Sequence, residues 1–483
     1  MNNSRQMIRF LLNDSLIELD FKDNPELKPT ISVLNYLRSL PFHKGVKEGC
    51  AEGDCGACTV VIAENQGGKL VYKSIDSCLV FLPMLHGKQL ITVENLAVGD
   101  ELHPVQQAMV DQNGSQCGYC TPGIVMSLFG LYKNQHHPST EVIHDALTGN
   151  LCRCTGYRPI ADAATSACTH EGADKFTAAE TETLKILDKL NLDKALIEIH
   201  TSAQHYYKPF TLTDALELRR RHPDALITGG STDVALRQTK KKELLEKIID
   251  ISDVEELRIL EEHKETFRIG SGATLERLLH FSKTRLSALY GMLKIFGSLQ
   301  IRNLATIGGN IGSASPIGDT LPLLIAYKAN IMLQALTRER YCRIEDFITG
   351  YRSTDLRKDE LITEIIIPKP SPGRIIKSYK VSRRKDLDIS TVSAGFSMLA
   401  VNGTVSDIIL AYGGMAAQPA RAIKTEAFLT GKPWTETTVF AAMDILYHEF
   451  TPLSDARANA AYRSLVARNL LLKFFEESKG QAI

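Results

Sequence analysis

The sequence predicts a multidomain α+β protein, and three observations carry that expectation. The chain has 483 residues, well beyond the roughly 100–200 of one ordinary domain. Of its ten cysteines, eight fall between Cys50 and Cys154, so the N-terminal third is chemically specialised. Short alternating apolar runs and helical-period runs both occur along the chain, as mixed layers of strands and helices require. The expected divisions are 1–90, 91–168, a linker at 169–200, 201–372 and 373–483.

Composition narrows the functional classes. Hydrophobic residues make up 44% and charged residues 23%, ordinary globular values. Lys+Arg and Asp+Glu both number 56, so there is no protein-wide basic field, and neither nucleic acid nor membrane is an expected partner. No apolar run approaches the ~18–20 residues needed to span a bilayer. The N-terminal stretch MNNSRQMIRFLLNDSLIELDF lacks the apolar core and cleavage site of a signal peptide, so a cytoplasmic location is expected. Cytoplasmic thiols seldom form structural disulfides, and the eight clustered cysteines therefore read as ligands. They divide into two sets of four, the number a [2Fe–2S] cluster or a closed zinc site takes.

The first set is Cys50, Cys55, Cys58 and Cys78, with spacing C-x4-C-x2-C-x19-C in CAEGDCGACTVV and SIDSCLV. The x4/x2 pair is the plant-type ferredoxin spacing. Gly49, Gly53 and Gly56 let the loop turn tightly and aim amide N–H groups at negatively charged sulfur. MIRFLLND and SLIELDF read as paired strands and TISVLNYLRSL as a helix, which gives the β-grasp order of such ferredoxins. A zinc ribbon or free thiols are the alternatives, but zinc knuckles usually show two short C-x2–4-C pairs.

The second set is Cys117, Cys120, Cys152 and Cys154, with spacing C-x2-C-x31-C-x-C in GSQCGYCTPGIVMSL and GNLCRCTGYRPI. CTPGIVMSLFGLYKN has helical periodicity, and STEVIHDAL begins with Ser139 or Thr140 as a cap. Two such helices lying side by side would bring both cysteine pairs to one end. C-x2-C alone could be thioredoxin-like, whereas both pairs together with their glycines are more specific. Tyr119, between two ligands, reads as a packing residue. His136-His137 reads as a solvated turn, because a zinc site needs further ligands. Cys168 and Cys342 read as small packing residues.

This arrangement resembles the molybdenum hydroxylase family, the xanthine dehydrogenase and aldehyde oxidase relatives. HPVQQAM at 103–109 resembles the opening of that family's four-helix [2Fe–2S] domain. The resemblance implies iron ligands at all eight cysteine positions.

Residues 169–204 turn polar and charged and read as a linker with some helical propensity. Then Thr211 opens a helix, and DALITGGSTDVAL reads as a strand running into a loop. This is neither a Rossmann fingerprint nor a P-loop. Gly229 and Gly230 allow close backbone approach, and Ser231 and Thr232 add hydroxyls, so the loop suits a pyrophosphate or a plain turn. A second cluster of small residues, GSLQIRNLATIGGNIGSASPIGDTL, suits an extended polar ligand or an irregular core turn.

The region resembles the same family's vanillyl-alcohol-oxidase-type FAD-binding domain. The implied FAD contacts are Leu226, Ile227, Thr228, Gly229, Gly230, Ser231, Thr232 and Asp233 in a first loop. Phe296 is implied near the flavin ring, Thr306, Ile307, Gly308, Gly309 and Asn310 in a second loop, with Asp319, Ile362 and Lys380 beyond. SRRKDLDIS after Lys380 corresponds to a segment beside the flavin in relatives, where its charge varies. The final part has an Asn402-Gly403 hairpin followed by helices, and resembles the family's C-terminal α+β flavoprotein domain. Arg421 and Lys424 in this part read as surface charges.

The four regions use the whole chain and leave no stretch for a molybdenum–pterin domain. The resemblance therefore implies the small polypeptide of a split, bacterial-type member, with no catalytic residues of its own. The substrate would be oxidised on a molybdenum-cofactor-binding large subunit, in a dimer of heterodimers. Electrons would pass through the second cysteine set, the first set and FAD to NAD+. The implied reactions are purine-catabolic: hypoxanthine to xanthine and xanthine to urate. An aldehyde- or N-heterocycle-oxidising relative and a zinc-stabilised non-enzymatic scaffold are the alternatives.

Overall fold

The computed structural model describes residues 5–24, 26–169, 172 and 174–480. It forms two compact units, Met1–Val254 with Gly297–Ala305, and Glu255–Phe296 with Thr306–Ile483.

The first unit begins with a mixed five-stranded sheet of order β2-β1-β5-β3-β4. Its strands are β1 (Met7–Leu12), β2 (Ser15–Asp20), β3 (Thr59–Gln66), β4 (Lys69–Asp76) and β5 (Gln89–Ile91). β1 and β2 form a hairpin in the register Met7↔Asp20 to Leu12↔Ser15, and β1 runs parallel to β5. Helix α1 (Val33–Ser39) starts at Ser32, whose hydroxyl accepts the Asn35 N–H at 3.2 Å, and buries Val33, Leu34, Tyr36 and Leu37. This is the strand-pair, helix, loop, strand order read from the sequence.

Four short helices follow: α2 (Pro104–Asp111), α3 (Thr121–Asn134), α4 (Thr140–Leu147) and α5 (Arg158–Cys168). His103 and Gln106 form a capping box at α2, and Ser139 is the cap residue of α4. α3 is buried continuously from Gly123 to Tyr132, with Phe129 at the centre of an apolar core that includes Met109, Ile143 and Ile160. The stretch read as a linker differs in structure. Over Lys175–Asn191 it is a helix, α6, whose Phe176, Leu187 and Leu190 belong to that same core. Its Asp174 cap is buried between His103 and Lys133, 3.2 and 2.8 Å away. Charge on the outer face hid a buried edge, since one apolar residue per turn suffices to seat a helix.

A smaller sheet of order β6-β7-β9-β8 completes this unit, with β6 (Ile197–His200), β7 (His205–Lys208), β8 (Leu226–Thr228) and β9 (Lys247–Asp250). Thr211 caps the helix Leu212–Arg221, as expected. Ile199, Tyr206, Phe210 and Ile248 share one core with Phe10, Leu37 and Leu82 of the first sheet. Lys208 is fully buried and paired with Asp250 at 2.8 Å and Asp253 at 2.7 Å, and Tyr206 donates to Asp250 at 2.9 Å. Such a charge cluster survives burial only because each member is matched.

The second unit holds a five-stranded antiparallel sheet, with Leu361–Pro368 hydrogen-bonded to both Thr266–Gly270 and Asn330–Ala335. A four-stranded sheet follows, with Val392–Val401 and Thr404–Gly413 joined through Asn402-Gly403, both at positive φ (49° and 71°). Its core packs Phe396 and Tyr412 against Phe474 of the closing helix Ala460–Ser478. Arg421, read as a surface charge, is half-buried and paired with Glu426 at 2.6 Å and Glu345 at 3.1 Å. Among the described residues no helix is long and apolar enough to cross a membrane.

His86 is buried, and its Nδ1 accepts the Arg9 N–H at 3.1 Å. Burial first, and the nearby Lys208 charge second, hold its pKa down to about 4, from 6.5 for a free imidazole. The unfolded chain therefore binds the extra proton more readily, and stability drains away as pH falls from about 6.5 to about 4. The gap corresponds to about 3 kcal/mol. In urea titrations His86→Asn should lose less stability than the unsubstituted protein over that window; identical pH profiles would remove His86 from the acid response.

Candidate functional site

Cys50, Cys55 and Cys58 lie on the loop between α1 and β3, and Cys78 lies on the short turn Ser77–Leu79 after β4. The loop is strongly curved: Ala51, Gly53 and Gly56 have φ of 55°, 80° and 66°. The N–H groups of Glu52 and Asp54 both donate to the Cys50 sulfur at 3.4 Å. A Cβ on Gly49 would lie 2.7 Å from the Cys55 sulfur, so glycine leaves room for the thiols. Beside them Asp76 is fully buried and accepts from Cys58 at 3.7 Å. Burial first, then the Cys50 charge, raises its pKa and favours the neutral acid.

Cys120 is the residue before α3, Cys117 precedes it, and Cys152 and Cys154 lie on the loop between α4 and α5. The loops turn through Gly118, Gly156 and Tyr157, at φ of 82°, 71° and 68°. The Cys152 N–H donates to the Tyr157 hydroxyl oxygen at 2.8 Å, and its sulfur lies 3.1 Å from the Thr155 hydroxyl. Cys117 and Cys154 are exposed, whereas Cys152 is buried.

Within each set the sulfurs associate in twos. A hydrogen bond with Cys55 lowers Cys50 to about 5 and raises Cys55 in turn. A bond with Cys78 raises Cys58. The Tyr119 N–H and then Cys154 lower Cys117, while Cys117 raises Cys154. Burial first and Cys152 second push Cys120 up to about 12. Burial works against ionisation of Cys152, and the Thr155 contacts outweigh it. Among the described residues no group of three or more His, Cys, Asp or Glu side chains converges as a single metal ion would need. In a dinuclear [2Fe–2S] centre each iron takes two protein ligands, and four thiols are present in each set. No disulfide joins any of the ten cysteines.

The two cysteine loops touch directly. The Leu151 N–H donates to the Cys55 carbonyl at 3.0 Å, and the Asn150 amide donates to the Gly56 carbonyl at 3.2 Å. Tyr119, read as a packing residue, is half-exposed, and its hydroxyl donates to the Glu48 carbonyl at 2.7 Å. Asn150 stands inside the GNLCRC motif and is not among the residues the sequence marks as functional. Its only sequence signal is an uncharged amide two residues before a ligand in otherwise apolar surroundings.

The flavin-type segments divide between the two units. In the first, β8 enters the loop at 228–233. A Cβ on Gly230 would lie 1.7 Å from the Leu304 carbonyl oxygen, so this position demands glycine. The Ser231 hydroxyl, expected to be available to a ligand, donates instead to the Leu79 carbonyl. The Thr228 hydroxyl is buried without a partner among the described residues.

In the second unit, Thr306 caps the helix Ile307–Gly312 by accepting the Gly309 N–H at 3.0 Å. A Cβ on Gly308 would lie 2.5 Å from Ser271 Cβ, and the Ser271 hydroxyl is buried with no partner among the described residues. Asn310 accepts from Thr320 at 2.6 Å. Asp319 and Lys380 pair with each other at 2.9 Å, and Asp319 also accepts from Ser390 at 2.6 Å. Lys380 donates further to the Ile295 carbonyl at 3.2 Å. Ile362 is buried in the strand Leu361–Pro368, and Phe296 is half-buried. Within each unit, a tight glycine turn beside a buried hydroxyl leaves backbone N–H groups that a polar ligand could meet.

Comparison with known proteins gives three family matches. Residues 92–165 match a [2Fe-2S] binding domain, 200–370 an FAD binding domain in molybdopterin dehydrogenase, and 377–478 a CO dehydrogenase flavoprotein C-terminal domain. The xanthine dehydrogenase of Emericella nidulans is 34% identical over 98% of this chain and 39% of its own length. That of Oryza sativa is 32% identical over 92% of this chain and 38% of its own. The chain thus spans about two fifths of these relatives. A solved chain of carbon monoxide dehydrogenase from Hydrogenophaga pseudoflava, lacking the Mo-pyranopterin moiety of the molybdenum cofactor, is 28% identical with a TM-score of 0.55. The likeness covers 58% of this chain and 98% of that one. Quinoline 2-oxidoreductase from Pseudomonas putida shares the fold, at 22% identity and a TM-score of 0.53 over 58% of this chain and 98% of its own.

Gly56 offers a direct test of the loop geometry. A Cβ there would lie 2.3 Å from the Gly149 carbonyl oxygen at a φ of +66°. Gly56→Ala should cost roughly 1–3 kcal/mol and lower bound iron per chain. Gly67→Ala, at a φ of +63° with nothing nearby, is the control and should keep its iron. Equal iron in the two variants would mean that the close approach at Gly56 is immaterial.

Proposed function

We propose, from the premise that the chain belongs to the molybdenum hydroxylase family and carries its [2Fe–2S] and FAD-binding modules, that it conveys electrons from a molybdenum centre on a separate polypeptide to NAD+. The substrates are hypoxanthine and xanthine, oxidised to xanthine and urate with water as the oxygen source. Identity of 30–34% to several xanthine dehydrogenases supports this choice of substrate. The coverage of almost the whole of a separate carbon monoxide dehydrogenase chain supports the division between polypeptides.

The observation that carries the reading is the pairing of cysteine sulfurs in two loops that meet backbone to backbone. Cys50, Cys55, Cys58 and Cys78 hold one [2Fe–2S] centre, and Cys117, Cys120, Cys152 and Cys154 hold the other. When bound, these centres carry single electrons and FAD one or two, so the chain converts between one- and two-electron chemistry. The chain's own residues supply the setting. Amide N–H groups of Glu52 and Asp54 face the Cys50 sulfur, and buried Asp76 accepts from Cys58 beside it. The exposed Cys117 and Cys154 present the second centre to a partner, while Cys58 and Cys78 stay buried. For FAD, 226–233 and 306–310 furnish backbone N–H groups, Phe296, Asp319, Ile362 and Lys380 further contacts. The working assembly is a dimer of heterodimers.

Purified alone, the chain should hold about four iron and four sulfide and reduce dyes with NADH, with no xanthine turnover. Stoichiometric zinc in place of iron would end the reading in favour of a scaffold. Cys117→Ser should abolish substrate-driven NAD+ reduction in the assembled enzyme while leaving NADH-to-dye activity intact; undiminished turnover would take Cys117 off the electron path.

A further inference from the structure

The contact between the two cysteine loops is held from a third place in the sequence. Gln300 lies on the short helix Leu299–Arg302 and is fully buried. Its amide N–H₂ donates to the Asn150 amide oxygen at 3.0 Å and to the Ser127 hydroxyl at 2.9 Å. Ser127 donates to the same Asn150 oxygen at 2.6 Å. With its oxygen so occupied, Asn150 must turn its N–H₂ the other way. There it donates to the Gly56 carbonyl and to the Thr59 hydroxyl oxygen, both at 3.2 Å. Gly56 follows Cys55, and Asn150 lies two residues before Cys152, so one amide group bridges both loops.

Three glycines make this possible. A Cβ on Gly149 would lie 2.2 Å from the Gln300 amide oxygen, one on Gly123 2.1 Å from the Gly56 carbonyl oxygen, and one on Gly56 2.5 Å from the Asn150 amide nitrogen. The same helix is anchored on both cluster-bearing regions. Buried Arg302 makes a two-point contact with Asp145 of α4 at 2.7 and 2.9 Å, and Asn303 donates to the Ser74 carbonyl of β4 at 2.9 Å. The Asn150 amide, with partners at both ends, has one orientation, because reversing it would set donor against donor.

We propose that Gln300 is a positioning residue for electron transfer between the two centres: by fixing the Asn150 amide it holds the Cys55–Gly56 and Leu151–Cys152 backbones in contact, so that the distance between the centres is set by a residue bound to neither. This rests on the reading that both cysteine sets carry [2Fe–2S] clusters.

The test uses the full chain with its cofactors. Gln300→Met keeps the length and removes both donors. The variant should hold the wild-type iron content and show both cluster signals by electron paramagnetic resonance after dithionite. The spin–spin splitting between the signals should shrink. Reduction of the helical-domain cluster on mixing with NADH should slow about tenfold, since rates that depend on geometry lose up to ~10²-fold for a displacement of about 1 Å. Splitting identical to wild type overturns the proposal, whatever the rate. Should Gln300→Met fail to assemble, Ser127→Ala removes a single member of the same network and must alter the splitting in the same direction; no change there overturns the proposal equally. A wild-type chain lacking two iron signals would instead sink the cluster reading, and this proposal with it.

Discussion

Direct backbone contact between two cysteine loops is the constraint on which the first unit depends. It exists because Gly56, Gly123 and Gly149 carry no side chain at the places where the loops meet. A Cβ on Gly56 or Gly123 would run into the facing backbone, and one on Gly149 into the Gln300 side chain. Closeness of this kind leaves carbonyls and N–H groups facing one another without water, and each must be satisfied. The Leu151 N–H meets the Cys55 carbonyl, and Asn150 meets the Gly56 carbonyl. The buried Ser127 and Gln300 follow from that requirement, since an amide committed at one end needs partners at the other.

The same logic of matching buried polar groups recurs away from the cysteines. Lys208, Asp250, Asp253 and Lys88 form a connected set beneath the small sheet, and Asp174 sits between His103 and Lys133 beside the four helices. Neither set makes the protein more stable than a well-packed apolar core would. They fix which surfaces face each other, because a misplaced partner would leave a charge buried alone. In the second unit Asp319 and Lys380 do the same within the flavin-type region.

Much of the architecture is readable without coordinates where spacing alone specifies chemistry. The x4/x2 cysteine interval, the Asn402-Gly403 hairpin, the Ser139 cap and the strand leading into Gly229-Gly230 all depend on neighbours within a few residues, and all are present in the structure as elements. Reading fails where a residue's role is defined by something distant. The polar face of α6 conceals Phe176 and Leu187, which matter only once the four helices exist to receive them. The Ser231 hydroxyl looks available beside two glycines, yet the Leu79 carbonyl claims it.

By itself, then, the sequence determined which atoms can bind metal and which turns the backbone can make, since thiols and glycines act through local chemistry. Only the tertiary structure decided that the sulfurs associate two by two and that the loops bearing them abut. It also decided that Gln300, some 150 residues from its nearest partner in the chain, closes the contact. Burial and hydrogen-bond pairing are properties of surfaces brought together, and no interval along the chain records which surfaces will meet.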